Sequence, residues 1–125
     1  MGEENKMNLL EIMQKRHSIR KYTEEAIPEE SLRTVVQAGL LSASSRSIRP
    51  WELIVVRDRD TLKKMSDCRV GAAKMLAGAS AAIVAAANPA DFCLEAVLSL
   101  GMPQAHPAKT ELSELSMDKV HWEKY

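Results

Sequence analysis

The sequence predicts an α+β protein, with one small sheet of three strands flanked by three or four helices. Two observations carry that expectation. Apolar stripes at helical spacing alternate with short runs of β-branched and alanine residues, and 125 residues suffice for one domain with a core but not for two of ordinary size. The composition, 46% apolar and 27% charged, is that of an ordinary globular chain. We expect a single domain over 1–125, with 1–6 a disordered N-terminus and 102–125 an extended C-terminal arm.

Asn8 precedes Glu11 at the spacing of a capping box, and Leu9, Leu10, Ile12 and Met13 form an apolar stripe, so a short helix should run from about 9 to 15. Arg16-His17-Ser18-Ile19-Arg20-Lys21-Tyr22 has no helical apolar face and reads as extended or loop-like. Ile27-Pro28-Glu29-Glu30 starts a second helix. Proline suits a first turn, where its missing N–H has no partner to lose, and the glutamates suit the positive end of the helix dipole. Leu32, Val35, Val36 and Leu40 then share an inward face. The small polar run 42–47 reads as a loop, and Trp51 to Val56 as a strand stopped by Arg57-Asp58. Asp60 can cap a helix reaching about Met65. Residues 71–87 are rich in alanine and therefore helical by propensity. The cluster Ala77-Gly78-Ala79-Ser80 nevertheless argues for a break, with 81–87 a buried strand. Residues 92–100 read as another strand ended by Gly101, and Pro103 and Pro107 punctuate the remainder.

Several functions are disfavoured. Lys plus Arg balance Asp plus Glu at 17 each, and aromatic residues are only 4%, so neither the basic face nor the stacking rings of a nucleic-acid binder are expected. Cys68 and Cys93 have no CxxC spacing and no adjacent His, which argues for buried reduced thiols rather than zinc or disulfide. The polar start of the chain lacks a signal-peptide core, and the uncharged stretch 75–87 is shorter than the ~18 residues of a membrane span. A cytoplasmic protein that avoids membranes is the expectation.

Two clusters can carry chemistry. In an extended segment Arg16, Ser18 and Arg20 point to one side, and two guanidiniums with a hydroxyl make a phosphate or carboxylate site. The competing reading is a solvated basic patch paired with Glu24, Glu25, Glu29 or Glu30. The second cluster is Ser44-Ser45-Arg46-Ser47-Ile48-Arg49-Pro50-Trp51, whose hydroxyls and free backbone N–H groups can grip a polar heterocycle. Its alternative is an ordinary loop anchored by Pro50-Trp51. Trp51 and Trp122 are expected as packing anchors, His121 as a surface or interface residue, and Met65 and Met75 as core fillers.

The order and separation of these clusters resemble the nitroreductase family. Its Arg-(Arg/His)-Ser-x-Arg segment is matched by Arg16, His17, Ser18 and Arg20. Its Ser-Ser-x-Asn-x-Gln-Pro-Trp loop is matched by Ser44, Ser45, Pro50 and Trp51, with Ser47 where Asn is usual and Arg49 where Gln is usual. The resemblance continues through 53–58, 95–103 and 119–125. It implies a small, mainly antiparallel sheet and a homodimer with flavin sites at the subunit interface. It also implies FMN as cofactor, held by Arg16, His17, Ser18 and Arg20, with Ser44, Ser45 and Ser47 reaching it from the partner subunit. The implied reaction is ping-pong, with NAD(P)H as reductant and a nitroaromatic, quinone or related small molecule as electron acceptor. No catalytic side chain and no metal site are implied. The sequence departs from the family between Ala87 and Phe92, where a central helical segment is missing. This keeps open a flavin binder without reductase turnover.

Overall fold

A computed structural model describes residues 8–71, 73–87 and 93–123, without side-chain detail for Cys93 and Leu94. The expected disordered 1–6, the shortened connection after Ala87 and Phe92 lie outside the described residues. The chain divides into two compact units, 19–104 and 1–18 with 105–125.

The larger unit is organised on an antiparallel sheet in the order β1-β2-β3, with β1 Trp51–Val56, β2 Ala81–Ala87 and β3 Cys93–Leu100. β1 has the expected bounds. Burial rather than propensity decides β2. A 3-10 turn over Lys74–Gly78 ends at the predicted break, and Ala81, Ala82, Ile83 and Ala86 of the following strand are buried. Alternation along β2 then feeds two cores. On one face Leu32 of helix α2, Glu29–Leu40, packs with Ala81 and Ile83, flanked by Ile27, Val36, Leu53 and Leu100. On the other, Leu62 of helix α3, Arg59–Ser66, packs with Leu76 and Ala82, flanked by Val56, Met65 and Ala73.

Three details correct the sequence reading. Pro28 is the N-cap of α2, in an extended conformation at ψ 138, and the helix begins at Glu29. Val35 and Leu40 are exposed, so the inward face narrows to Leu32 and Val36. Asp58, not Asp60, caps α3. Its carboxylate accepts from Thr61 N at 2.8 Å and Thr61 Oγ1 at 2.6 Å, a reach that a residue already inside the first turn does not have.

A tyrosine pins the start of this unit to the end of β3. Tyr22 bridges to Pro103, Thr23 N donates to Met102 O at 2.7 Å, and Gln104 N donates to Lys21 O at 3.1 Å. The Tyr22 hydroxyl donates to Ile19 O at 2.8 Å and lies 2.6 Å from Ser99 Oγ. The ring lies so close to Gly101 that a β-carbon there would sit 2.5 Å from Tyr22 Cδ1.

The smaller unit contains helix α1, Leu9–Lys15, with the expected capping box: Glu11 N donates to Asn8 Oδ1 at 2.9 Å and Asn8 N to Glu11 Oε2 at 3.0 Å. Gln14 holds Thr110 through two hydrogen bonds, one to its backbone carbonyl and one from its backbone N–H, each 3.0 Å long. Short 3-10 turns occupy Leu112–Glu114 and Met117–Lys119 within the otherwise irregular C-terminal segment. No described residue of this unit is buried.

Two outcomes test this arrangement. Gly101→Ala should lower unfolding stability by about 1–3 kcal/mol in urea melts, since the added methyl must displace a buried ring. The Thr61 hydroxyl, then the Thr61 backbone N–H, hold the Asp58 carboxyl below the ordinary value of 3.8. A depressed carboxylate stabilises the fold above its unfolded value and loses that contribution as pH falls through the folded one. The stability gap between wild type and Asp58→Ala should therefore be widest near neutrality and close below about pH 3.8, read by denaturant melts across pH.

Candidate functional site

The basic segment leaves α1 at Arg16, whose N–H donates to Ile12 O at 3.0 Å while its backbone turns extended. Arg16 and Ser18 are exposed, and His17 between them is half-buried. The Nε2 atom of His17 is buried and has no hydrogen-bond partner among the described residues. Such an atom is costly unless something completes it. Arg16, His17 and Ser18 are consecutive in the smaller unit. Arg20 belongs to the larger one, on the segment pinned by Tyr22.

The expected competition from carboxylates does not arise. Glu29 instead pairs with Arg33 at 2.9 Å and Arg57 at 3.4 Å. The hydrogen bond from Arg33, then that from Arg57, holds the Glu29 carboxyl below its ordinary 4.5. Among the described residues no ion pair engages Arg16 or Arg20.

The serine cluster is more structured than a plain loop. Residues Ser45–Ser47 form a 3-10 turn in which Ser47 N donates to Ser44 O at 3.1 Å and Ile48 N donates to Ser45 O at 3.2 Å. Ser44 Oγ accepts from Arg49 N at 2.8 Å, which ties the turn's two ends. Ser44 is half-buried, whereas Ser45 and Ser47 are exposed. Arg46, Ser47 and Arg49 have φ of 53°, 54° and 46°. Left-handed backbone at three side-chain-bearing residues is unfavourable by about 1–3 kcal/mol each and collects at functional loops. No glycine or asparagine in 44–49 announced it. The only signal was the family's usual Asn at Ser47, since Asn tolerates this region. Arg20 and this turn share a unit but no hydrogen bond.

Other expectations fare unevenly. Trp51 is half-buried beside Pro50, Leu53 and Leu98 at a cavity of about 460 Å³. Trp122 is 81% exposed, not an anchor, because its unit supplies no buried residue to pack against. His121 is exposed. Cys68 is exposed rather than buried, since it follows the C-cap of α3, where its thiol donates to Lys64 O at 3.6 Å. Met65 and Met75 are half-buried and line a cavity of about 580 Å³, which sequence reasoning did not foresee. Among the described residues no group of three or more His, Cys, Asp or Glu can hold a metal, and no helix is long and apolar enough to cross a membrane.

A small antiparallel sheet flanked by helices, accompanied by an Arg-His-Ser-x-Arg segment and a left-handed serine turn, defines an α+β protein. The chain belongs to the nitroreductase family, whose model matches residues 13–121. It is 42% identical over 80 residues to a provisionally named NADH dehydrogenase/NAD(P)H nitroreductase of Archaeoglobus fulgidus, covering 64% of this chain and 45% of that protein. A similarly named protein of Methanothermobacter thermautotrophicus is 39% identical over 66 residues, covering 53% of this chain and 35% of that one. The chain thus spans less than half the length of the curated relatives it matches. Among solved structures, an FMN-dependent nitroreductase of Clostridium difficile superposes with a TM-score of 0.87 at 24% identity, over 94% of this chain and 100% of that one. A nitroreductase-fold protein of Desulfovibrio desulfuricans, solved in complex with FMN, gives 0.78 at 17% identity, over 96% and 99%. At these identities the structures establish the fold, and this chain's small antiparallel sheet flanked by helices is the architecture expected from the sequence.

Ser47 offers a direct probe of the turn. Ser47→Gly should leave stability unchanged or raise it, whereas Ser47→Val should lower it by about 1 kcal/mol or more, because a β-branched residue is strained at positive φ. Denaturant melts of the two variants read the difference.

Proposed function

We propose that this chain is an FMN-dependent NAD(P)H oxidoreductase that works as a homodimer. One observation carries the proposal: Arg16 and Arg20 have no ion pair among the described residues, and His17 Nε2 is buried without a partner there, in a family whose structures include an FMN complex. The donor set fits the cofactor's chemistry. Guanidiniums and the Ser18 hydroxyl suit a phosphate, and an orphaned imidazole nitrogen suits a polar ring edge. When bound, FMN supplies the redox chemistry, accepting hydride from NAD(P)H and passing electrons to a nitroaromatic, quinone or related acceptor. The protein's share is binding and orientation: Arg16, His17, Ser18 and Arg20 are the proposed holders of the flavin phosphate and ring, and Ser44, Ser45 and Ser47 are proposed to reach the cofactor from the partner subunit.

The homodimer is supported by surface chemistry. Leu9, Leu10, Ile12 and Met13 are all exposed on the short helix α1, and apolar side chains gathered on one helix mark an association surface. A second reading, a flavin binder without turnover, is favoured by the half-length match to the curated relatives.

Purified protein should be yellow, with a flavin absorbance band that bleaches when NADH or NADPH is added. A colourless protein that ignores added FMN sinks the proposal. Bound FMN that is never turned over, across nitroaromatic and quinone acceptors, selects the second reading. Arg16→Gln and Arg20→Gln should each weaken FMN binding roughly 10- to 100-fold, the loss of one charge-assisted contact, as measured by fluorescence quenching.

A further inference from the structure

The cavity of about 580 Å³ lies between α3, the Lys74–Gly78 turn and β3, and none of the arginine or serine cluster residues lines it. Its walls are apolar and soft, with Met65, Met75, Leu76, Val84 and Val97 among them, and the Cys68 thiol adds a third sulfur. Thioether and thiol sulfurs make favourable contacts with aromatic rings. Its size lies within the range of small-molecule sites. Arg69 and Glu95 also line it, both are exposed, and they bring opposite charges, so a neutral ligand is favoured over an ion.

The polar group that decides the ligand is Ser99. The Tyr22 hydroxyl has one hydrogen, and the Ile19 carbonyl, which can only accept, takes it at 2.8 Å. The 2.6 Å contact between Tyr22 Oη and Ser99 Oγ must then be made by the serine hydrogen. Ser99 has therefore spent its only donor on Tyr22. Its oxygen, on the cavity wall, keeps lone pairs that accept from no other described residue. A ligand at Ser99 meets an acceptor and no donor.

We propose that this cavity binds a neutral aromatic ligand carrying an O–H or N–H, of the phenol or indole class, with its ring among the sulfur and aliphatic side chains and its hydrogen on Ser99 Oγ. This is independent of flavin binding, because it rests on side chains other than those assigned to the cofactor.

The test is a matched pair of probes, 4-propylphenol and 4-propylanisole, titrated into the purified chain by calorimetry or ligand-observed NMR. They share ring and tail and differ in the donor. The phenol should bind roughly three- to tenfold tighter, as one neutral hydrogen bond allows. Ser99→Ala should abolish the preference while leaving the anisole affinity unchanged. Tyr22→Phe, checked for folding by circular dichroism, should abolish it differently. It frees the serine hydrogen to donate to the ether oxygen, so the anisole binds tighter than before. Equal affinities in the wild type, no binding of either probe, or a preference that survives Ser99→Ala overturns the proposal. If Tyr22→Phe fails to fold, the serine variant decides alone.

Discussion

The larger unit depends on the smallness of β2. The strand lies between β1 and β3 and takes a helix or turn against each face, so Leu32 approaches one side while Leu62 and Leu76 approach the other. Alanines at 81, 82 and 86 leave room for those leucines, and Ile83 is the largest side chain that the strand buries. Close packing on both faces makes such a strand intolerant of added volume, since every added methylene must displace a neighbour already in contact. By seating Leu32 and Val36, the same strand fixes the position of α2, and hence where the serine turn begins.

That constraint also explains what could be read from the sequence. β1 was legible because β-branched residues cluster between Trp51 and Arg57, and α1 because its capping box is a local pattern. β2 was legible only through its punctuation, since alanine alone favours a helix. What was missed depends on geometry that composition does not encode. Asp58 and Asp60 are equally good capping residues, and only the position of the first turn chooses between them. Cys68 lies outside α3 by two residues, enough to move a residue type that is usually buried onto the surface. The left-handed backbone of Arg46, Ser47 and Arg49 is held by the Ser44 hydroxyl on Arg49 N, a bond across five residues that no turn signature announces.

The short connection after Ala87 has a simple topological counterpart. β2 and β3 are antiparallel neighbours with Ala87 opposite Cys93, and adjacent antiparallel strands can be joined by a few residues where parallel ones need a long crossover. Pairing β2 with β3 in this register therefore requires no long crossover. On β3, Val97 and Leu98 are exposed, and each lines a cavity. The two cores lie around β2, where both sides are covered.

The arginines divide along the same line. Arg33 and Arg57 are committed to Glu29, and Arg59 donates to the carbonyls of Ala77 and Ala79 at 3.3 and 3.2 Å, fastening α3 to the turn before β2. Arg16 and Arg20 take no such partner among the described residues. Cations that serve a scaffold neutralise a nearby carboxylate or cap a carbonyl. Two left unpaired on one short segment, with an imidazole nitrogen between them in sequence that has no partner either, hold binding capacity that the fold does not consume. Arg46, Arg49 and Arg69 also take no ion pair among the described residues, so the feature that sets this segment apart, and that supports the cofactor site proposed there, is the buried His17 Nε2 next to Arg16 in sequence.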